Sequence, residues 1–195
     1  MTNLNTLEPN AFTFFEADEL TALARVDVER GALDAALHKL KLALAAPTPS
    51  QDTIIMTARL YAQLGLVERA KPLFQRYLSA QPDALNEMFQ FGMVHFDGGQ
   101  ITEALSIWDQ VLASHPTHPP ALFYRALASY QLGQIAEARH ALDILYKSTA
   151  HDNLYFGRAK ELSQILDQAA TGARLGAPSP EGLRMTAKDA YKSEH

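Results

Sequence analysis

The chain contains no cysteine, and that absence excludes disulfides, thiolate metal ligands and a thiol nucleophile. It also lacks any basic block. Lys and Arg number 17 against 22 Asp and Glu, for a net charge of −5. Nucleic acid is therefore excluded as a partner, since binding it needs clustered positive charge against the phosphates. No window approaches the roughly 20 apolar residues of a membrane-spanning helix, so membrane insertion is not expected. The opening stretch "MTNLNTLEPNAFTFFEADEL" has neither the basic segment nor the apolar run of a secretory leader. These absences suggest a soluble, cytoplasmic protein.

Catalytic signatures are missing as well. There is no HxxxH, no GxSxG and no phosphate-cradling glycine loop. Adjacent carboxylates such as Asp18 and Glu19 fall on predicted helix surfaces, where solvation accounts for them. The pair His115 and His118 in "HPTH" has no third ligand nearby in sequence and reads as an inter-element turn rather than a metal site. The expectation is a non-enzyme without catalytic residues, cofactor or metal.

Glycine is scarce, at 10 of 195 residues, but its placement is regular. Gly31, Gly65, Gly99 and Gly133 keep a constant step of 34, and Ala36, Ala70, Ala104 and Ala138 keep the same step. A period of this length marks a repeat architecture, in which each unit buries its apolar face by stacking on the next. The unit from Leu85 to His118 shows the physical logic. "LNEMFQFGMVHF" is helical, with Met88, Phe91, Gly92 and His95 at spacings of three and four. "DGGQ" ends that helix, glycine being suited to the left-handed turn. A second helix carries Ile101, Ala104, Leu105, Trp108, Val111 and Leu112 on one face, and Pro116 closes the unit. Small residues at Gly92 and Ala104 let the two helices approach closely, while Trp108 fills the wider space beyond.

This pattern resembles the tetratricopeptide repeat. The marks are Gly92, Gly99, Ala104, Trp108 and Pro116 in the third unit, and Ala58, Tyr61, Gly65, Ala70, Phe74 and Pro82 in the second. The fourth keeps Ala126, Gly133, Ala138 and Leu142 but ends at Ala150 without its proline; the first has Leu23, Ala24, Gly31, Ala36, Leu40 and an early Pro47. The resemblance implies an all-α, right-handed superhelical array of antiparallel helix pairs, an α-solenoid. Four repeats are expected at 17–50, 51–84, 85–118 and 119–152. A capping helix should follow at 153–170, started by Asp152 or Asn153 and buried through Leu154, Ala159, Leu162, Ile165 and Leu166. Residues 171–195 read as linker and tail, and residues 1–16 as an apolar segment with Leu4, Leu7, Phe12, Phe14 and Phe15. That segment is either a cap on the first hairpin or a tethered pseudo-ligand for the protein's own groove or a second copy's. "TFFE" fits a capping box, placing the first helix start near Phe14. Two departures stand out: Arg125 stands where the family usually has a core leucine or similar residue and must snorkel or find a carboxylate partner, and Pro72 should kink its helix mildly.

The resemblance also implies where a ligand goes, because the first helix of each pair lines the concave face. Three equivalent columns fall there: Thr21, Ile55, Phe89 and Phe123; Arg25, Arg59, Met93 and Leu127; Val28, Ala62, Phe96 and Tyr130. They run from polar, small or basic to aromatic and aliphatic along the chain. The expected ligand-binding residues are Arg25, Ile55, Arg59, Phe89, Met93, Phe96, Phe123, Leu127 and Tyr130. The alternative is that some of these are core or covered by the tail, and that the arginines pair with Asp18, Glu29 or Asp52. The subclass that clamps acidic chaperone tails is not matched, since Thr21, Arg25, Met56, Asn86 and Gln90 stand at its clamp positions. The function expected is a protein–protein interaction module, adaptor or chaperone, holding a peptide or helix with an apolar segment. The alternatives are a self-assembling scaffold, with the apolar N-terminal segment filling a second copy's groove, and a bacterial secretion-type chaperone.

Overall fold

The structure, a computed structural model, describes residues 15–170. The expected cap or pseudo-ligand at Leu4, Leu7, Phe12 and Phe14, and the linker and tail at 171–195, lie outside the described residues. Among the described residues the chain forms nine helices: α1 (Ala17–Glu29), α2 (Leu33–Leu44), α3 (Gln51–Gln63), α4 (Val67–Ala80), α5 (Leu85–Asp97), α6 (Ile101–Ser114), α7 (Pro119–Gln131), α8 (Ile135–Ser148) and α9 (Leu154–Ala170). Helices α1, α3, α5 and α7 begin 34 residues apart and are each 13 residues long.

The regular step is a backbone device. Gly31, Gly65, Gly99 and Gly133 have φ of 75°, 72°, 76° and 74°, the left-handed conformation that side chains resist. Each glycine N–H donates to a carbonyl three residues back, and the next residue's N–H donates to one five back, as in Gly99 to Phe96 and Gln100 to His95. That pair of bonds is the Schellman closure, which satisfies carbonyls left over at a helix end.

Some helix starts are capped by local side chains. Ser50 Oγ accepts from the Thr53 N–H and Asn153 Oδ1 from the Tyr155 N–H. Helix α1 starts at Ala17, later than the expected Phe14. Glu16 takes the cap position, its N–H donating to Glu19 Oε2 at 2.9 Å, so the reciprocal bond runs between two glutamates. Helix α4 runs unbroken through Pro72.

The chain divides into two compact units, Met1–Asp83 and Ala84–His195. In the first, α1 pairs with α2 and α3 with α4, while α3 also packs on α1 and α2. Ala24, Ala36 and Leu40 meet Leu60 in a small aliphatic core. In the second, α5 pairs with α6 and α7 with α8, α6 packs on α7, and α9 lies against both α7 and α8. Its core is aromatic: Trp108 is fully buried, with ring centroids 5.6 Å from Phe96 and 5.7 Å from Tyr124, and its Nε1–H donates to the Phe89 carbonyl at 3.2 Å. Arg125 has found the carboxylate it needs, Nε donating to Asp109 Oδ1 at 2.6 Å. Helix α9 buries Tyr155, Phe156, Ala159, Leu162, Ile165 and Leu166. Leu154, expected on that face, is 49% exposed, because the first helical position turns outward and the two aromatic residues after it take the contact.

Candidate ligand-binding face

In the first unit the face formed by α1 and α3 is polar. Thr21 Oγ1 donates to the Ala17 carbonyl and lies 2.8 Å from Thr53 Oγ1, both side chains buried. Thr53 also meets Ser50 Oγ at 2.9 Å, and Thr57 Oγ1 donates to the Thr53 carbonyl at 2.6 Å. Each buried hydroxyl in this ladder has a partner, as burial requires. Thr21, expected on the open face, is thus an interior pairing residue. The signal missed was Ser50 with Thr53, three positions apart at the start of α3 and just ahead of Ile55, the repeat equivalent of Thr21. Ile55, expected in the groove, is also buried at 6% exposure.

Arg25 remains on the surface. Its Nη2 donates to Asp52 Oδ2 at 2.6 Å, with side-chain exposures of 54% and 56%. Of the three carboxylates weighed from the sequence, Asp52 is the one it meets. Arg59, the equivalent residue of α3, is half-buried.

In the second unit the expected groove residues behave differently. Phe89, Met93, Phe96, Phe123 and Leu127 are fully buried, so the apolar strip expected to stand open is interior. Phe89 packs against Trp108, His118 and Tyr124, and Phe123 against Tyr124 and Tyr155. The physical reason is that bulky side chains on α5 and α7 reach the next helix pair and α9 rather than solvent. Tyr130, expected beside them, is half-buried.

The "HPTH" turn carries a structural role that the sequence did not reveal. His118 is the N-cap of α7, its Nδ1 accepting from the Ala121 N–H at 3.2 Å. Burial, and then the nearby His115, hold its pKa below the ordinary 6.5. Among the described residues no group of three or more His, Asp or Glu side chains could hold a metal ion, and no helix is long and apolar enough to cross a membrane.

Residues 63–144 match the family model described as anaphase-promoting complex, cyclosome, subunit 3. A comparison with curated proteins returns no match. Among solved structures, MamA AMB-1 is similar with a TM-score of 0.66 and 21% identity, covering 74% of this chain and 84% of its own. YrrB, a tetratricopeptide repeat protein with an unusual peptide-binding site, gives 0.68 and 23%, covering 74% of each chain. A tetratricopeptide repeat protein from Parabacteroides merdae gives 0.68 and 18%, covering 80% of this chain and 61% of its own. With four glycine-closed helical hairpins on a 34-residue step and these likenesses, the chain has the fold of the tetratricopeptide repeat proteins.

Proposed function

We propose that the protein is a non-enzymatic protein–protein interaction module, an adaptor or chaperone that holds a peptide or helix of a partner against the first helices of its hairpins. Repeats of this kind present one helix of each pair as an extended surface. YrrB, of similar fold, has a peptide-binding site.

The observation that carries the reading is the Arg25–Asp52 pair, more than half exposed on both sides. An exposed pair of this kind is worth about 1 kcal/mol at most, so a partner's carboxylate can replace Asp52 at the guanidinium with little loss. Arg59 stands one repeat further on at the equivalent place of α3. The favoured partner therefore carries acidic residues beside apolar ones. In the second unit Tyr130 offers the aromatic contact, a residue type that often dominates interfaces. Ile55, Phe89, Met93, Phe96, Phe123 and Leu127 act beneath the surface, fixing the helices that present it.

The test is partner capture from a lysate of the native host. Arg25→Glu lowers capture about tenfold at low salt, the difference shrinking as salt screens the charges. Tyr130→Ala lowers it at all salt concentrations. Unchanged capture by both variants, with helicity intact, refutes the reading for the first helices of either unit.

A further inference from the structure

In the second unit α6, α7 and α8 flank an open groove of about 300 Å3, lined by residues other than those of the face above. Leu112, Leu122 and Ile144 form apolar walls, and His140 stands on the α8 side. Asp109 and Arg125 supply fixed charge of both signs. The Nε bond to Asp109 Oδ1 uses one of the five guanidinium N–H groups and orients the rest. The two terminal amino groups of Arg125, and the second oxygen of Asp109, make no hydrogen bond with the described residues. The arginine side chain is 26% exposed and the aspartate 55%, so both are within reach of solvent-borne solutes.

A cation and an anion side by side, next to an apolar wall, complement a molecule that carries both charges on one carbon. We propose that this groove binds a free apolar α-amino acid of about leucine's size. Its carboxylate meets the terminal amino groups of Arg125, its ammonium meets the second oxygen of Asp109, and its side chain lies against Leu112, Leu122 and Ile144. A groove of about 300 Å3, open to solvent, has room for a ligand no larger than a single amino acid and leaves its charged end reachable by water. A peptide end brings only one of the two charges and leaves the other protein charge without a partner. The inference is independent of the partner-binding face, and its failure leaves that reading intact.

Titration of the full chain with L-leucine, N-acetyl-L-leucine and L-leucinamide tests it, followed through the backbone amide chemical shifts of Ala113, Leu122, Arg125 and Ile144. Leucine should give saturable shifts at millimolar concentration, with both blocked compounds at least about tenfold weaker. Arg125→Gln and Asp109→Asn should each weaken leucine by a similar factor, circular dichroism confirming the fold. Ala113→Trp fills the groove mouth from an exposed position and should abolish the shifts with helicity unchanged. Three results overturn the proposal: no saturable shift with leucine, N-acetyl-leucine binding as well as leucine, or leucinamide doing so. The second would point to a peptide C-terminus as the ligand.

Discussion

Gly92 is small because Trp108 is large: a Cβ built on Gly92 would lie 2.2 Å from the indole Nε1. The equivalent pairs in the other hairpins are Ala24 with Leu40, Ala58 with Phe74 and Ala126 with Leu142, all buried. A one-carbon reduction on the first helix accompanies the largest ring on the second. Gly92→Ala should therefore destabilise by about 1–3 kcal/mol through overpacking. That reverses the gain of roughly 1 kcal/mol that alanine normally brings to a helix interior. Adding Trp108→Phe should recover much of the loss, since the double variant recreates the Ala58–Phe74 pair. Urea unfolding of the four variants gives the coupling directly, and a more stable Gly92→Ala would refute the size pairing. Trp108→Ala should cost about 3–5 kcal/mol, the range for deleting a buried large aromatic.

The neighbouring glycines Gly98 and Gly99 separate two effects. Gly98 has φ of −76° and any residue can adopt it, whereas Gly99 has φ of +76°. A Cβ on Gly99 meets nothing within 4 Å, so its cost is conformational and not steric contact with neighbours. Gly99→Ala should lose about 1–2 kcal/mol. Gly98→Ala should be neutral, or gain up to about 1 kcal/mol by restricting the unfolded chain. Thermal melts distinguish the two, and equal losses would contradict the assignment of the left-handed position.

Stability should fall on mild acidification because of His118. Its Nδ1 accepts the Ala121 N–H and its ring lies 5.5 Å from that of Phe89, so the folded state holds it neutral. With the folded pKa below the unfolded 6.5, the unfolded chain binds the proton more readily. The contribution is therefore present above pH 6.5 and lost as pH drops through the folded value. His118→Asn keeps a capping side chain without a titrating one. Unfolding midpoints measured from roughly pH 7 to 5 should decline less steeply for the variant than for the parent. Parallel slopes would remove His118 from the account.

Truncation after Asp152 removes α9 and uncovers the α7 and α8 surfaces it buries through Tyr155, Phe156, Leu162 and Leu166. Apolar surface at the end of a repeat array promotes association, so the shortened chain should aggregate or melt at lower temperature. Light scattering during a thermal ramp checks this. A shortened chain that stays in solution and is equally stable would mean α9 covers nothing that matters.

The repeat was legible in the sequence because each glycine turn is a local backbone requirement that leaves a residue-type mark at a fixed distance. Arg125 was legible in part, as a charge where a core leucine is usual that had either to snorkel or to be paired, and the structure pairs it with Asp109. The fate of Phe89, Met93 and Phe96 was not. A helix face that packs on the next repeat and a face open to a ligand both appear as apolar positions at the same spacing. Only the size of what lies opposite, here Trp108, Tyr124 and Tyr155, decides between them. The α1 start was misplaced because Glu16, a poor N-cap by type, is held by Glu19. The buried hydroxyls were hidden because Thr21 and Thr53 look like surface residues until they face each other.

The cores of the two units have a kinetic consequence. The α1–α2 hairpin closes over Ala24, Ala36 and Leu40 with no aromatic ring in that cluster, while α5–α9 surround interlocked rings at Phe89, Phe96, Trp108, Phe123, Tyr124 and Tyr155. Local opening costs less where fewer apolar atoms must part. Amide deuterium uptake should accordingly spread from the α1–α2 end, and Trp108 fluorescence should change only after α1 and α2 have already exchanged. The indole then reports the last region to come apart, not the first.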